Sequence, residues 1–376
     1  MKAGIITFHR AINYGAVLQC YALCNTIKNL GHNCEIIDYR CESIENQYSP
    51  LYPLKNSRSL KYSVYVMINK FFPMAKKKRI FDKFIDKYLD MSESYTKDNI
   101  GTITKKYDKF ITGSDQVWNY NHSNFDKNYF LDFVDDSSKK CSYAASIGLS
   151  SIPDNVREEY IRLLKDFAHI SVREATAKNL ISNLLPPPQK NIHVSADPAL
   201  LLTKNDWNKL MTGYKNKYGK YVLVYELIPS VSLLQYAQKY AKENNCKVIR
   251  IISEGKEKHA DNVKNLYGVS PQQFLGLIDN AHAVFTNSFH GTAFSLNFGK
   301  NVFVETLKGT YASLNSRIYD LLELCHATDR IITDHIGDID AASLEIIKQE
   351  LEKKREEGLA FLQDILADTN HIKQNI

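Results

Sequence analysis

The strongest constraint on the fold is a pattern that recurs along the chain: a short apolar run, a tight turn, then apolar residues at helical spacing. Its sharpest instance is HAVFTNSFHGTAFSLNF, residues 282–298. His282-Ala283-Val284-Phe285 has the uniform apolarity of a buried parallel strand. After the break at Thr286-Asn287-Ser288, residues 291–298 resume at helical spacing. A strand that turns straight into a helix aims the helix's unpaired N–H groups at the crevice above the strand's carboxyl end. Those donors and the helix dipole suit an anion, phosphate above all. His290 stands in that turn and exchanges protons near neutral pH. The segment thus predicts an anion cradle beside an acid/base group. The same pattern also allows Ser288 merely to cap the helix and His290 to bond a neighbouring loop.

The pattern starts at the first residues. Residues 3–8 read as a strand, 16–30 as a helix ended by Gly31, and 34–39 as the next strand, a βαβ unit. Its first turn holds Asn13, Tyr14 and Gly15 but no GxGxxG, so no dinucleotide site is read there. Asn13 suits either a substrate hydroxyl or the helix cap. From about 41 to 100 the rhythm lapses into a helical insertion, helix-prone over 61–95 and split at Pro73. Its run Lys76-Lys77-Lys78-Arg79 reads as a solvated helix face or, alternatively, as a patch that leans on an anionic membrane.

The strand Tyr107–Ile111 then enters Gly113-Ser114-Asp115-Gln116-Val117-Trp118-Asn119. Carboxylate, amide and one indole together suit a sugar, whose hydroxyls exchange hydrogen bonds while its apolar face stacks. Trp118 equally fits a core, and Asp115 an Asx turn. Strands are expected at 140–147, 168–172 and 193–198, and a helix at 155–167. Arg173, at a strand end, is placed to pair a carboxylate or phosphate, or else Glu174. A polar stretch at 212–219 divides the chain, and a second βα series follows to Arg317, which opens a helix at 318–324. A long charged helix is expected over 339–366, packed back across the domains.

A length of 376 residues favours two domains. They are placed at 1–212, the acceptor side, and 213–330, the donor side, with 331–376 a helical segment. The net charge of +6 is mild, and no Arg-rich stripe marks a nucleic-acid binder. Seven cysteines form no CxxC pair and complete no zinc set, so no metal site is expected. The chain enters a strand at once and holds no apolar run of membrane-spanning length, which predicts a cytoplasmic protein. Oligomeric state is left open between monomer and homo-oligomer.

Six segments in series carry a resemblance. They are FHRAINYGAVLQ (8–19), GSDQVWN (113–119), AASIG (144–148), SVRE (171–174), Asp197-Pro198, and SFHGT (288–292). In this order, over nearly the whole chain to about Leu324, they resemble the polysaccharide pyruvyl transferase family. The resemblance implies an α/β fold of two Rossmann-like domains facing across a cleft, GT-B-like, with a helical insertion in the first and a long C-terminal helix. It also implies phosphoenolpyruvate as donor and a sugar or lipid-linked oligosaccharide as acceptor, joined as a pyruvate ketal in cell-surface polysaccharide synthesis, with no cofactor. In some members an Arg stands two residues before the His; here that residue is Ser288.

On that reading His290 is the acid and Asp115 the base. Arg173, Ser288, Gly291, Thr292 and Arg317 bind the donor; Asn13, Tyr14, Gly15, Gln116 and Trp118 place the acceptor. The rivals are a GT-B glycosyltransferase using a nucleotide-sugar, for which Glu305 is the sole ribose anchor seen, and a non-catalytic polysaccharide-assembly protein.

Overall fold

The structure, a computed structural model, describes residues 1–50, 71–185, 191–252, 262–333 and 337–367. The helix-prone residues 61–70 and the Pro186–Pro188 break lie outside the described residues. The first half runs β1 (Lys2–Ile6), α1 (Tyr14–Asn29), β2 (Asn33–Tyr39), α2 (Glu42–Gln47), α3 (Phe72–Tyr88), β3 (Met91–Tyr95), β4 (Lys109–Thr112) and β5 (Lys140–Ser142). It continues with α4 (Asp154–Leu164), β6 (Ile170–Val172), α5 (Ala175–Leu184), β7 (Ile192–Val194) and α6 (Lys204–Leu210). After residues 211–220 come β8 (Tyr221–Tyr225), α7 (Val231–Glu243), β9 (Lys247–Ile251), β10 (Val263–Leu266), α8 (Pro271–Asn280) and β11 (Ala283–Thr286). The last elements are α9 (Phe289–Asn297), β12 (Asn301–Val304), α10 (Ser316–Leu324) and α11 (Ala341–Leu366).

Both five-stranded sheets are parallel and share one strand order, β3-β2-β1-β4-β5 and β10-β9-β8-β11-β12. That is the doubly wound arrangement, in which ligands meet the crevice at the strands' carboxyl ends. The central strands are apolar on both faces because helices cover both: every residue of β8 and β11 is buried. The pair β6-β7 continues the first sheet beyond β5 through single bridges, Cys141 to His169 and Ala145 to Val172.

Two edge strands depart from the expected pattern. Met91–Tyr95, read as the end of a helix-prone stretch, pairs instead with β2. β10, absent from the sequence reading, pairs with β9. Pro73 stands in the first turn of α3, where its missing N–H costs nothing. The strand expected over 140–147 stops at Ser142, because Ala144 turns to φ 49°.

One apolar cluster joins the halves. Tyr14 stacks on Phe274 with ring centroids 4.4 Å apart, and its hydroxyl donates to the Val269 carbonyl at 2.9 Å. The helix α11 crosses back over the first half. Arg355 donates from Nε to the Leu200 carbonyl at 3.0 Å and from Nη2 to Asn297 Oδ1 of α9 at 3.2 Å. No described helix is long and apolar enough to cross a membrane.

Candidate active site

Four turns at strand carboxyl ends, and the start of α10, deliver charged or titratable side chains to one buried place. Asp115 follows β4, Arg173 and Glu174 follow β6, Asp197 follows β7, and His290 lies in the first turn of α9. Arg317 opens α10. The start of α1, after β1 in the same half as Asp115, Arg173 and Asp197, closes the site against His290 of the second half. A Cβ added to Gly15 would come within 2.0 Å of His290 Nδ1, so only glycine lets α1 approach the imidazole this closely.

Asp197 is the hub. Its side chain is fully buried and accepts from Arg173 Nη1 at 2.7 Å, Ser114 Oγ at 3.1 Å and the Ala199 amide at 2.9 Å. His290 Nε2 stands 3.5 Å from the same Oδ2, an ion-pair distance too long for a good hydrogen bond. Burial alone would raise the Asp197 pKa; the His290 and Arg173 charges and the Ala199 N–H overcome it and hold the carboxyl well below its usual range. Glu174 takes Ser146 Oγ at 2.6 Å and the Gly148 amide at 3.1 Å on one oxygen. Its other oxygen lies 3.6 Å from Arg173 Nε.

Four donor atoms of the cluster are left unpaired. Arg173 Nε and Nη2, Arg317 Nε and His290 Nε2 are buried with no hydrogen-bond partner among the described residues. Burial and the like charge of Arg173 push the Arg317 guanidinium down to about 10. Buried donors left unpaired are costly, and one anionic ligand would satisfy several at once. The Phe289 ring meets both guanidiniums, with Cζ of Arg173 and Arg317 at 4.7 and 5.9 Å from its centroid. Beside them opens a cavity of about 300 Å³ lined by Arg173, Asp197, Phe289, Arg317 and Leu321.

Several expected site residues turn out otherwise. Trp118 is fully buried, stacked on Phe130, with Nε1 donating to the Tyr129 carbonyl at 3.1 Å; it is core and offers no face to a sugar. Tyr14 is committed to the contact with Phe274 and Val269. Asn13 caps α1, its Oδ1 accepting from the Gly15 amide at 2.9 Å. The Gly291 amide donates to Ser288 Oγ, while the Thr292 amide and hydroxyl both donate to the Ser288 carbonyl, so the donors of Gly291 and Thr292 are committed within the start of α9. Gly291 serves by being small, since a Cβ there would meet Thr286 Oγ1 at 2.4 Å.

Gln116 accepts from Asn119 Nδ2 at 2.9 Å and packs on Gly148 at the cluster's margin. Asp115 is half-buried, holds φ 77°, and adds its charge to the field on both arginines. Glu305 ends β12 as expected but accepts from Ser232 Oγ. The residues that sequence reading passed over are Asp197, Glu174 and Phe289. Asp197 stood in a quoted segment, and its Asp-Pro turn at a strand end was the available signal.

The sequence model of one family, Polysaccharide pyruvyl transferase, matches residues 13–306. No curated protein matches the chain. Among solved structures, a putative UDP-N-acetylglucosamine 2-epimerase from Listeria monocytogenes superposes with a TM-score of 0.51 at 10% identity, over 96% of this chain and 90% of that one. Another UDP-N-acetylglucosamine 2-epimerase does so at 0.50 and 10% identity, over 100% of this chain and 96% of that one. At such identity the likeness is one of fold, two Rossmann-like halves of the GT-B type. The family match begins at Asn13, takes in Gly15, both Arg173 and Asp197, and the His290 turn, and stops short of Arg317. The chain belongs to the polysaccharide pyruvyl transferase family.

Proposed function

We propose that the protein transfers the enolpyruvyl group of phosphoenolpyruvate to two hydroxyls of one sugar, closing a pyruvate ketal. The observation that carries this reading is the set of orphaned donors on Arg173, Arg317 and His290, of which the two arginines line a small cavity. A compact ligand with both a carboxylate and a phosphate answers two guanidiniums and an imidazole, and a neutral sugar does not.

In the reaction His290 gives its proton to the methylene carbon, so that the adjacent carbon becomes oxocarbenium-like. One sugar hydroxyl adds there and loses its proton to Asp115. The second hydroxyl displaces phosphate, which leaves with the electron pair of its C–O bond. Two hydroxyl protons are released for the one consumed, so His290 is recharged and the other leaves with phosphate. Arg173 and Arg317 hold the donor's charges, and Asp197 orients the imidazolium and stabilises it. With Ser288 where some relatives carry Arg, Arg317 supplies the second guanidinium.

The test is a thermal-shift titration with phosphoenolpyruvate, followed by phosphate release in the presence of acceptor sugars. A rise in Tm with phosphoenolpyruvate is expected, because a ligand that binds only the folded state stabilises it. His290→Ala should keep the shift and lose turnover. Stabilisation by UDP- or GDP-sugars alone would sink the proposal in favour of a glycosyltransferase.

A further inference from the structure

The basic residues of α3 take no part in the site above. Lys78 is held by Asp82 at 2.9 Å, but further along the helix Lys83 and Lys87 border a separate groove. Its other wall carries Lys215 and Lys217 from the segment between the two sheets, and Tyr88 and Tyr218 complete the sides. The groove has a volume of about 770 Å³, more than twice that of the cavity beside Arg173. Among the described residues it is lined by no carboxylate, and none of its four lysines makes an ion pair. Four ammonium groups around one concavity repel one another, and an anion placed among them reverses the sign of that interaction. Lys87 lies 5.0 Å over the Tyr88 ring, while Lys217 and Lys264 lie 5.7 and 5.4 Å from the Tyr218 ring. Cationic points beside aromatic walls suit a ligand that is part sugar and part phosphate: lysine meets phosphate as a point charge, and rings pack against sugar C–H faces.

The groove also touches the catalytic junction. Val269 lines it, and its carbonyl accepts the Tyr14 hydroxyl at 2.9 Å. The next residue, Gly15, is the one that packs on His290.

The geometry points to this groove as a subsite for the phosphate-bearing part of a saccharide, beside the cleft where the sugar hydroxyls react. The inference rests on the proposed function for the second half of that statement only. The binding itself is tested separately.

The experiment measures the Kd of N-acetylglucosamine 1-phosphate for the full chain and for the combined variant Lys83→Gln, Lys87→Gln, Lys215→Gln, Lys217→Gln. Inorganic phosphate serves as control. All four lysines are exposed, and the melting temperature reports that the variant folds. The variant should bind the sugar phosphate at least about tenfold more weakly at low salt, with a shallower salt dependence. Its thermal shift with phosphoenolpyruvate should be unchanged. Equal Kd in both proteins, no binding in either, or inorganic phosphate binding the native chain as tightly as the sugar phosphate would overturn the assignment.

A parallel arm uses vesicles carrying a sugar on a polyprenyl diphosphate. Tighter lysine-dependent binding there identifies a lipid-borne saccharide, and equal binding a soluble one. Lysine-dependent binding to anionic vesicles lacking the sugar overturns the proposal in favour of plain membrane contact. A native chain that binds the sugar phosphate through these lysines but ignores phosphoenolpyruvate would sink the pyruvyl transfer reading and leave the groove standing.

Discussion

His290 owes its position to what surrounds it, and two substitutions measure that. In Gly15→Ala the new methyl would fall within 2.0 to 2.4 Å of three imidazole atoms, so the ring must move. A displacement of about an ångström at a reacting group costs on the order of a hundredfold in rate. The variant should fold and lose about that much turnover, with circular dichroism confirming the fold. In Asp197→Asn the buried Arg173 keeps its charge and loses its carboxylate. Breaking such a pair costs about 3 kcal/mol at neutral pH. The sign with pH follows from the depressed pKa. Asp197 contributes its stability above the unfolded-state value of about 4, and loses it as pH falls through that range toward the folded value. The native protein's urea midpoint should therefore drop toward that of Asp197→Asn between about pH 5 and 2. A constant gap across that range would show that the carboxylate does not carry the difference. At this scale the sequence was legible where a residue's chemistry is rare, as with His290 and the two arginines. It was misleading where one side chain serves two environments: an indole fills a core or stacks on a sugar, and burial of Trp118 decides for the core.

The helices and central strands were readable because their apolar periodicity is strong; α8, for one, opens on Pro271 behind a capping box of Ser270 and Gln273. The strands that escaped, β3 and β10, are both sheet edges. An edge strand packs one neighbour only, so Met91–Tyr95 exposes Glu93 and Ser94 and β10 exposes Lys264, which dilutes the apolar signal. The long helix α11 gives a test of sign at this scale. Gly358 lies mid-helix, where replacing glycine by alanine ordinarily stabilises by about 1 kcal/mol. Here a Cβ would meet the Tyr143 hydroxyl at 2.4 Å and Leu201 at 2.9 Å, in the seam where α11 crosses the first half. Overpacking of that kind costs about 1–3 kcal/mol and should win. Gly358→Ala is expected to lower the urea midpoint with m unchanged; a higher midpoint would mean that the seam yields.

For the whole molecule the question is whether its two sheets melt together. The site needs both, because Gly15 comes from one half and His290 from the other. The apolar cluster is continuous across the junction through Tyr14, Phe274, Phe81 and Tyr225, and α11 ties Leu200 to Asn297. Such continuity predicts one calorimetric transition for the native chain. Tyr14 is the side chain on which the coupling turns. Tyr14→Phe keeps the stack on Phe274 and loses only the bond to Val269, worth about 1 kcal/mol, so one transition should remain. Tyr14→Ala empties the junction of an aromatic ring, at about 3–5 kcal/mol. If that exceeds what the rest of the seam supplies, the halves uncouple, and the endotherm should broaden or split in two. Turnover would then fall while each half keeps its secondary structure, since on the proposed reaction a donor at Arg173 and Arg317 meets His290 only when the His290 turn stays seated against the start of α1. A single sharp endotherm in Tyr14→Ala would instead assign the coupling to α11, and Arg355→Ala is the variant that should then divide it.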